Sequence, residues 1–253
     1  AFVSGAHRPG DPADTRRRAT GGAPVSVAEA LQRVQASIRA HELTWDREPD
    51  SVRLLAVGKK KPVDDLRAAI DAGQRLFGEN YLDEADEKIE AIGRHAPDGS
   101  ALEWHYIGAI QSRKAGRIAE RFDWVHSVDR LKVANKLSQH RLQTHDRPLS
   151  ICLQVNPDGE TSKAGVAPAE LDELADAVAQ LPGLRLRGIM AIPAPRAAFE
   201  EQRAVFATLH ALQRSLAERH PDVDTLSCGG ASVAKWVHWT GSSRPRLRLG
   251  WPK

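Results

Sequence analysis

The sequence predicts an α/β fold, a single (β/α)8 or TIM barrel, and three observations carry that reading. Short apolar or β-branched runs recur along the chain, amphipathic helical stretches separate most of them, and eight such runs can be counted. Strands alternating with helices make βα units, and a parallel sheet buried on both faces reads as continuous apolar runs. Eight strands are what a barrel of this type needs, and 253 residues is a usual length for one such domain.

In chain order, SVAEALQRVQASIRA (26–40) has apolar residues at helical spacing and Ser26 in N-cap position, so it reads as a leading helix. Strands are expected at 52–57 (VRLLAV), 74–80 (QRLFGEN), 102–108 (LEWHYIG), 123–129 (DWVHSVD), 149–156 (LSICLQVN), 186–192 (LRGIMAI), 225–229 (TLSCG) and 247–250 (LRLG). Helices are expected over PVDDLRAAIDAG, YLDEADEKIEAIG, RLKVANKLSQHR, APAELDELADAVAQL and AAFEEQRAVFATLHALQRSLAERH. Residues 1–25, biased to Arg, Gly, Pro and Ala, read as a disordered extension, which leaves the barrel to 26–253. The extension lacks the apolar core of a secretory signal, and Asp11 and Asp14 weigh against a transit peptide. A start without Met is what a fragment or a processed chain would show.

Composition narrows the partners. The chain is 41% hydrophobic and 27% charged, ordinary for a soluble globular protein. No apolar stretch approaches the ~20 residues of a membrane-spanning helix. The net charge is only +3, and the triplets at 16–18 (RRR) and 59–61 (KKK) are too short and too far apart for a nucleic-acid footprint. Two cysteines, Cys152 and Cys228, sit in apolar runs without CxxC spacing, so neither a zinc site nor a disulfide framework is expected, and a reducing cytoplasm is.

In a barrel the chemistry sits in the loops that follow the strands. Lys59 stands two residues past the first strand. An apolar strand beneath it and two neighbouring lysines would favour the neutral amine that Schiff-base chemistry with an aldehyde requires. The plainer alternative is that Lys59, Lys60 and Lys61 only solvate a loop. Asn80, at the end of the second strand, either hydrogen-bonds a ligand hydroxyl or caps the helix beginning at Tyr81. His105 lies mid-strand among apolar residues and reads as a core histidine rather than a base. Asn156, Glu160 and Lys163 belong to the turn-rich NPDGETSKAG. SCGGAS (227–232) offers backbone N–H groups for a phosphate without the GK[ST] of a P-loop. Barrel phosphate sites often follow strands seven and eight, where Ser227, Gly229 and Gly250 fall. An amine for an aldehyde and a loop for a phosphate at one mouth point to pyridoxal 5′-phosphate (PLP).

Taken together, LLAVGKKKP, AIDAGQRLFGENYLDEADEKI, LEWHYIGAIQSRK, FDWVHSVDRLKVANKL, QVNPDGETSKAGV and LRLRGIMAIPAP closely resemble the pyridoxal phosphate homeostasis protein family, small PLP-binding proteins related to the barrel domain of alanine racemase. The likeness runs from about Ser26 to Gly229. It implies an alanine racemase N-terminal-domain-like barrel with PLP held as a Schiff base on Lys59. It also implies Asn80 beside the cofactor, Ser227 and Gly229 on the phosphate, and an arginine and glycine of the last strand, Arg248 and Gly250, near the ring and phosphate. Strict spacing would put Arg246 in place of Arg248. The family's Ser-Lys-Thr-Lys is here Gly58-Lys59-Lys60-Lys61. Its Ser-x-Gly-Met-Ser and following acid give way to Ser227-Cys228-Gly229-Gly230-Ala231-Ser232, and its next helix to VAKWVHWTG, so the last βα unit is expected to be incomplete.

The resemblance implies a cytoplasmic, monomeric, non-catalytic protein that buffers PLP or delivers it to PLP-dependent apo-enzymes. It implies neither a nucleic-acid partner, nor a membrane, nor a metal. The alternative is a PLP-dependent, racemase-like enzyme. Alanine racemases take a second base, a tyrosine, from an additional β-domain for which this sequence leaves no room, and the only tyrosines here are Tyr81 and Tyr106.

Overall fold

The computed structural model describes residues 25–159, 164–230 and, for the backbone, 233–240. The leading helix α1 (Val27–Thr44) begins with a reciprocal cap. Ser26 Oγ accepts from the Glu29 N–H at 3.2 Å, and the Glu29 carboxylate accepts from the Ser26 N–H at 3.1 Å. Both are donors that a helix N-terminus otherwise leaves unpaired. Ser26→Ala should therefore lower stability by about 1 kcal/mol, read as a reduced urea midpoint with unchanged slope.

After α1 come β1 (Val52–Val57), α2 (Val63–Asp71), β2 (Leu76–Glu79), α3 (Leu82–Ile92), β3 (Glu103–Tyr106), α4 (Ala115–Arg121), β4 (Trp124–Val128), α5 (Leu131–Thr144), β5 (Leu149–Val155), α6 (Leu171–Ala179), β6 (Leu184–Ala191), α7 (Phe199–Arg219), β7 (Thr225–Gly230) and β8 (Val233–Thr240). Strands β1 to β7 lie side by side in sequence order and all run parallel. Successive strand residues face opposite sides, and the core divides accordingly. Phe77, Val125, Ile151 and Ile189 pack outward against helix residues such as Leu66, Leu82, Ile118, Leu137 and Leu209. Their strand neighbours Leu76, Trp124, Cys152 and Met190 turn inward with Leu55 and Ile107 and fill the barrel.

Two elements differ from the sequence expectation. Helix α4 occupies a stretch to which the sequence assigned no element, because its seven residues carry too few large apolar side chains to show a period. Among the described residues the eighth strand is β8, and the strand expected at 247–250 lies outside them. It pairs antiparallel with both β7 and β1 and so closes the described sheet. The reason is the connection. A parallel neighbour needs a crossover of a dozen or more residues, whereas only Ala231 and Ser232 separate β7 from β8. The stretch VAKWVHWT is itself rich in β-branched and aromatic residues, which favour a strand.

Candidate functional site

The ladder between β1 and β2 extends one step past β1, where the Gly58 N–H donates to the Gly78 carbonyl at 2.9 Å. The Gly58 carbonyl then accepts from the Lys61 N–H at 2.9 Å, which closes a four-residue turn with Lys59 and Lys60 at its centre. Lys60 has φ +58°, the left-handed value that the third position of a type II turn demands and that normally selects Gly or Asn. All three lysines are exposed. Lys59 therefore lacks the apolar shelter the sequence reading gave it. The strand ends two residues earlier, and the turn leaves the residue exposed.

Beneath this turn lies a charged cluster that the sequence reading missed. Lys88 reaches up from α3, and all three of its ammonium hydrogens have acceptors: the Gly58 carbonyl at 2.6 Å, Glu79 Oε1 at 2.9 Å and Glu84 Oε1 at 2.5 Å. Glu84 Oε1 also accepts from the Lys60 N–H at 2.6 Å. Glu79 is fully buried in β2, and loss of solvent pushes its carboxyl up to about 7 although the Lys88 bond pulls it back. Its second oxygen, Oε2, is buried with no hydrogen-bond partner among the described residues. At position 58 a Cβ would stand 2.2 Å from Glu79 Oε1, so glycine, where the resemblance expects serine, leaves room for this carboxylate.

Asn80 follows Glu79 at the end of β2, beside the Lys59 turn. Of the two roles open to it, helix capping is excluded, since Tyr81 occupies the N-cap of α3 and no side chain caps that helix. Its Oδ1 is instead buried and unpartnered among the described residues, a costly state for an amide unless a donor arrives. Across the mouth, Asp158 in the loop after β5 accepts from the Ala194 N–H at 2.8 Å and pairs with Arg196 at 2.5 Å, which ties that loop to the one after β6. Glu160 and Lys163 lie outside the described residues.

Ser227 sits in β7, fully buried, with its Oγ 2.7 Å from His126 Nδ1. His126 Nε2 lies 2.8 Å from His105 Nδ1, so a line of side chains crosses the barrel from β7 through β4 to β3. Burial holds His105 below its ordinary pKa and keeps it neutral, in keeping with a core histidine. The Ser227 hydroxyl is thus occupied inside the barrel, and Gly229, one step from the end of β7, is buried as well. Arg248 and Gly250 fall outside the described residues, so the structure brings together the Lys59 turn and Asn80 from the sequence-derived set and places Ser227 and Gly229 on another strand end. Glu79, Glu84, Lys88 and His126 were not found from sequence. The one signal for the first three was a charged residue closing an apolar strand followed by an i, i+4 Glu–Lys pair in the next helix.

Seven parallel strands alternating with helices fit the alanine racemase N-terminal domain class, and the model of that domain family matches residues 23–250. A pyridoxal phosphate homeostasis protein of Vibrio alginolyticus is 44% identical over 222 residues, 88% of this chain and 94% of the relative. Another, of Pseudomonas aeruginosa, is 50% identical over 205 residues, covering 81% and 85%. Among solved structures, PipY of Synechococcus elongatus PCC7942 with PLP bound aligns with a TM-score of 0.63 and 34% identity over 79% of this chain and 87% of that one. The chain belongs to the pyridoxal phosphate homeostasis protein family.

Proposed function

We propose that this protein binds PLP through Lys59 and serves as a carrier in PLP homeostasis, buffering the cofactor or handing it to PLP-dependent apo-enzymes in the cytoplasm, as a monomer and without turnover. The observation that carries this reading is the buried, unpartnered Oδ1 of Asn80 at the strand end next to the Lys59 turn. An acceptor left bare beside an exposed amine suits a ligand that brings a hydroxyl and an aldehyde together. PLP supplies, when bound, an electrophilic aldehyde carbon. In this chain Lys59 would offer the nucleophilic amine, Asn80 would hydrogen-bond the ring hydroxyl, and the end of β7 around Gly229 would offer backbone to the phosphate, while the resemblance assigns Arg248 and Gly250 to the ring and phosphate. The relatives' shared description and the PLP-bound neighbour support the same reading.

The racemase-like alternative needs a second proton-transfer group poised over the cofactor. Tyr106 is poorly suited, since it is buried, its hydroxyl donates to the Ala109 carbonyl at 3.1 Å, and burial raises its pKa to about 12. Tyr81 is exposed on the surface. Non-catalytic binding is therefore the reading preferred. Among the described residues no helix is long and apolar enough to cross a membrane.

The purified chain, mixed with PLP, should develop the visible absorbance of a lysine-linked cofactor, and borohydride should fix the added mass to the peptide containing Lys59. Lys59→Ala should lose both signals. No absorbance change in the unmodified chain would refute cofactor binding, and turnover of alanine or another amino acid would favour the enzyme.

A further inference from the structure

We propose that Lys88 and Glu84 are positioning residues for Lys59, fixing the backbone on both sides of it and holding its turn in the conformation from which the amine meets the cofactor aldehyde. The inference rests on Lys59 being the lysine that takes the cofactor. The two residues flanking Lys59 are anchored to the same ammonium. Gly58 is anchored directly through its carbonyl, and Lys60 through its N–H on Glu84, whose accepting oxygen also binds Lys88. Glu84 and Lys88 stand one turn apart on α3 and therefore share a face. Glu79 takes the third hydrogen of Lys88 from within β2, which fixes the direction of the other two.

The turn needs such support. A left-handed non-glycine residue persists only where its surroundings over-determine it, and such strain gathers at ligand sites. Lys60 is one of three non-glycine residues with positive φ among the described residues, and the one that adjoins a candidate site residue. Without the clamp the turn would relax into several conformers. The amine would then spend less time where the aldehyde arrives, a loss in the rate of bond formation rather than in contacts to the ring or phosphate.

The test separates these two quantities. The rate at which the visible band appears after mixing the full chain with PLP reads the bond-forming step. The affinity for pyridoxamine 5′-phosphate, which has no aldehyde, reads the remaining contacts. Glu84→Ala should slow the first about tenfold and leave the second within about twofold. Glu84→Gln keeps an accepting oxygen and should restore the rate to within about threefold of the parent. Lys88→Met in a Glu79→Gln background, which leaves no buried unpaired charge, should be slowed as much as Glu84→Ala. Parent-like rates in both Glu84→Ala and the double variant would overturn the clamp, as would an equal fall in rate and in pyridoxamine phosphate affinity. A band that persists in Lys59→Ala would instead overturn the lysine assignment, and the clamp with it.

Discussion

Lys88→Met alone should lose about 3–5 kcal/mol of stability on the alkaline side of neutrality, measured by urea unfolding, because there it strands a buried charge. The Lys88 side chain is 4% exposed and that of Glu79 0%, so neither water nor another cation reaches the carboxylate once the ammonium is gone. The exposed pairs elsewhere, such as Arg67 with Asp64, are worth little by comparison. Adding Glu79→Gln should recover most of the loss, since the amide replaces a charge that nothing neutralises. The pH dependence has a definite sign. In the parent protein the Glu79 carboxyl sits at about 7 against an ordinary 4.5, so the folded state takes up a proton the unfolded chain does not. That contribution is complete below the unfolded value and is lost as pH rises through about 7. Without Lys88 the carboxyl moves higher still. The deficit of Lys88→Met should therefore shrink as the solution is acidified, and it should be largest on the alkaline side of neutrality. A deficit that is flat with pH, or one that Glu79→Gln leaves unrelieved, would show that the two charges do not depend on each other.

The cluster also shows where sequence reading reaches its limit. Seven parallel strands were legible because each is buried on both faces and so writes an unbroken apolar run, and Lys59 was singled out because it follows the first of them. Glu79 closes one of those runs and reads with the loop that follows, although it is as buried as Phe77. Burial of a charge depends on a partner nine residues further along the chain, and no periodicity in either segment announces that pairing. His126 was hidden for a related reason: its partners, Ser227 and His105, meet it only when β3, β4 and β7 surround one interior. The antiparallel β8 was missed because an expected last strand at 247–250 drew the reading past VAKWVHWT, whose composition alone would have marked a strand. Asn80 shows the converse. Its two roles were equal in the sequence, and the position of a single helix start removes the capping one.

Gly108→Ala should be the most damaging small change near the site, costing about 3 kcal/mol and weakening PLP binding well beyond what the stability loss explains. A Cβ there would lie 2.0 Å from the Asn80 carbonyl oxygen and 2.8 and 2.9 Å from its carbonyl carbon and Cα. These are backbone atoms, which no rotamer change can move aside. Sideways escape is blocked too, because the Ile107 N–H is bonded to the Glu79 carbonyl at 2.9 Å and the Ser127 hydroxyl donates to the Gly108 carbonyl. The methyl can be admitted only by prising the ends of β2 and β3 apart, which displaces Asn80, the residue proposed to meet the ligand. Gly73→Ala provides the contrast. That position has φ +93° but open space around it, so its penalty should come from backbone strain alone, about 1–2 kcal/mol, with PLP affinity unchanged. Equal binding by the two folded variants would mean that Asn80 can move with the strand end and still serve the ligand. A selective loss in Gly108→Ala would mean that the close approach of these two strand ends is what sets the amide in place.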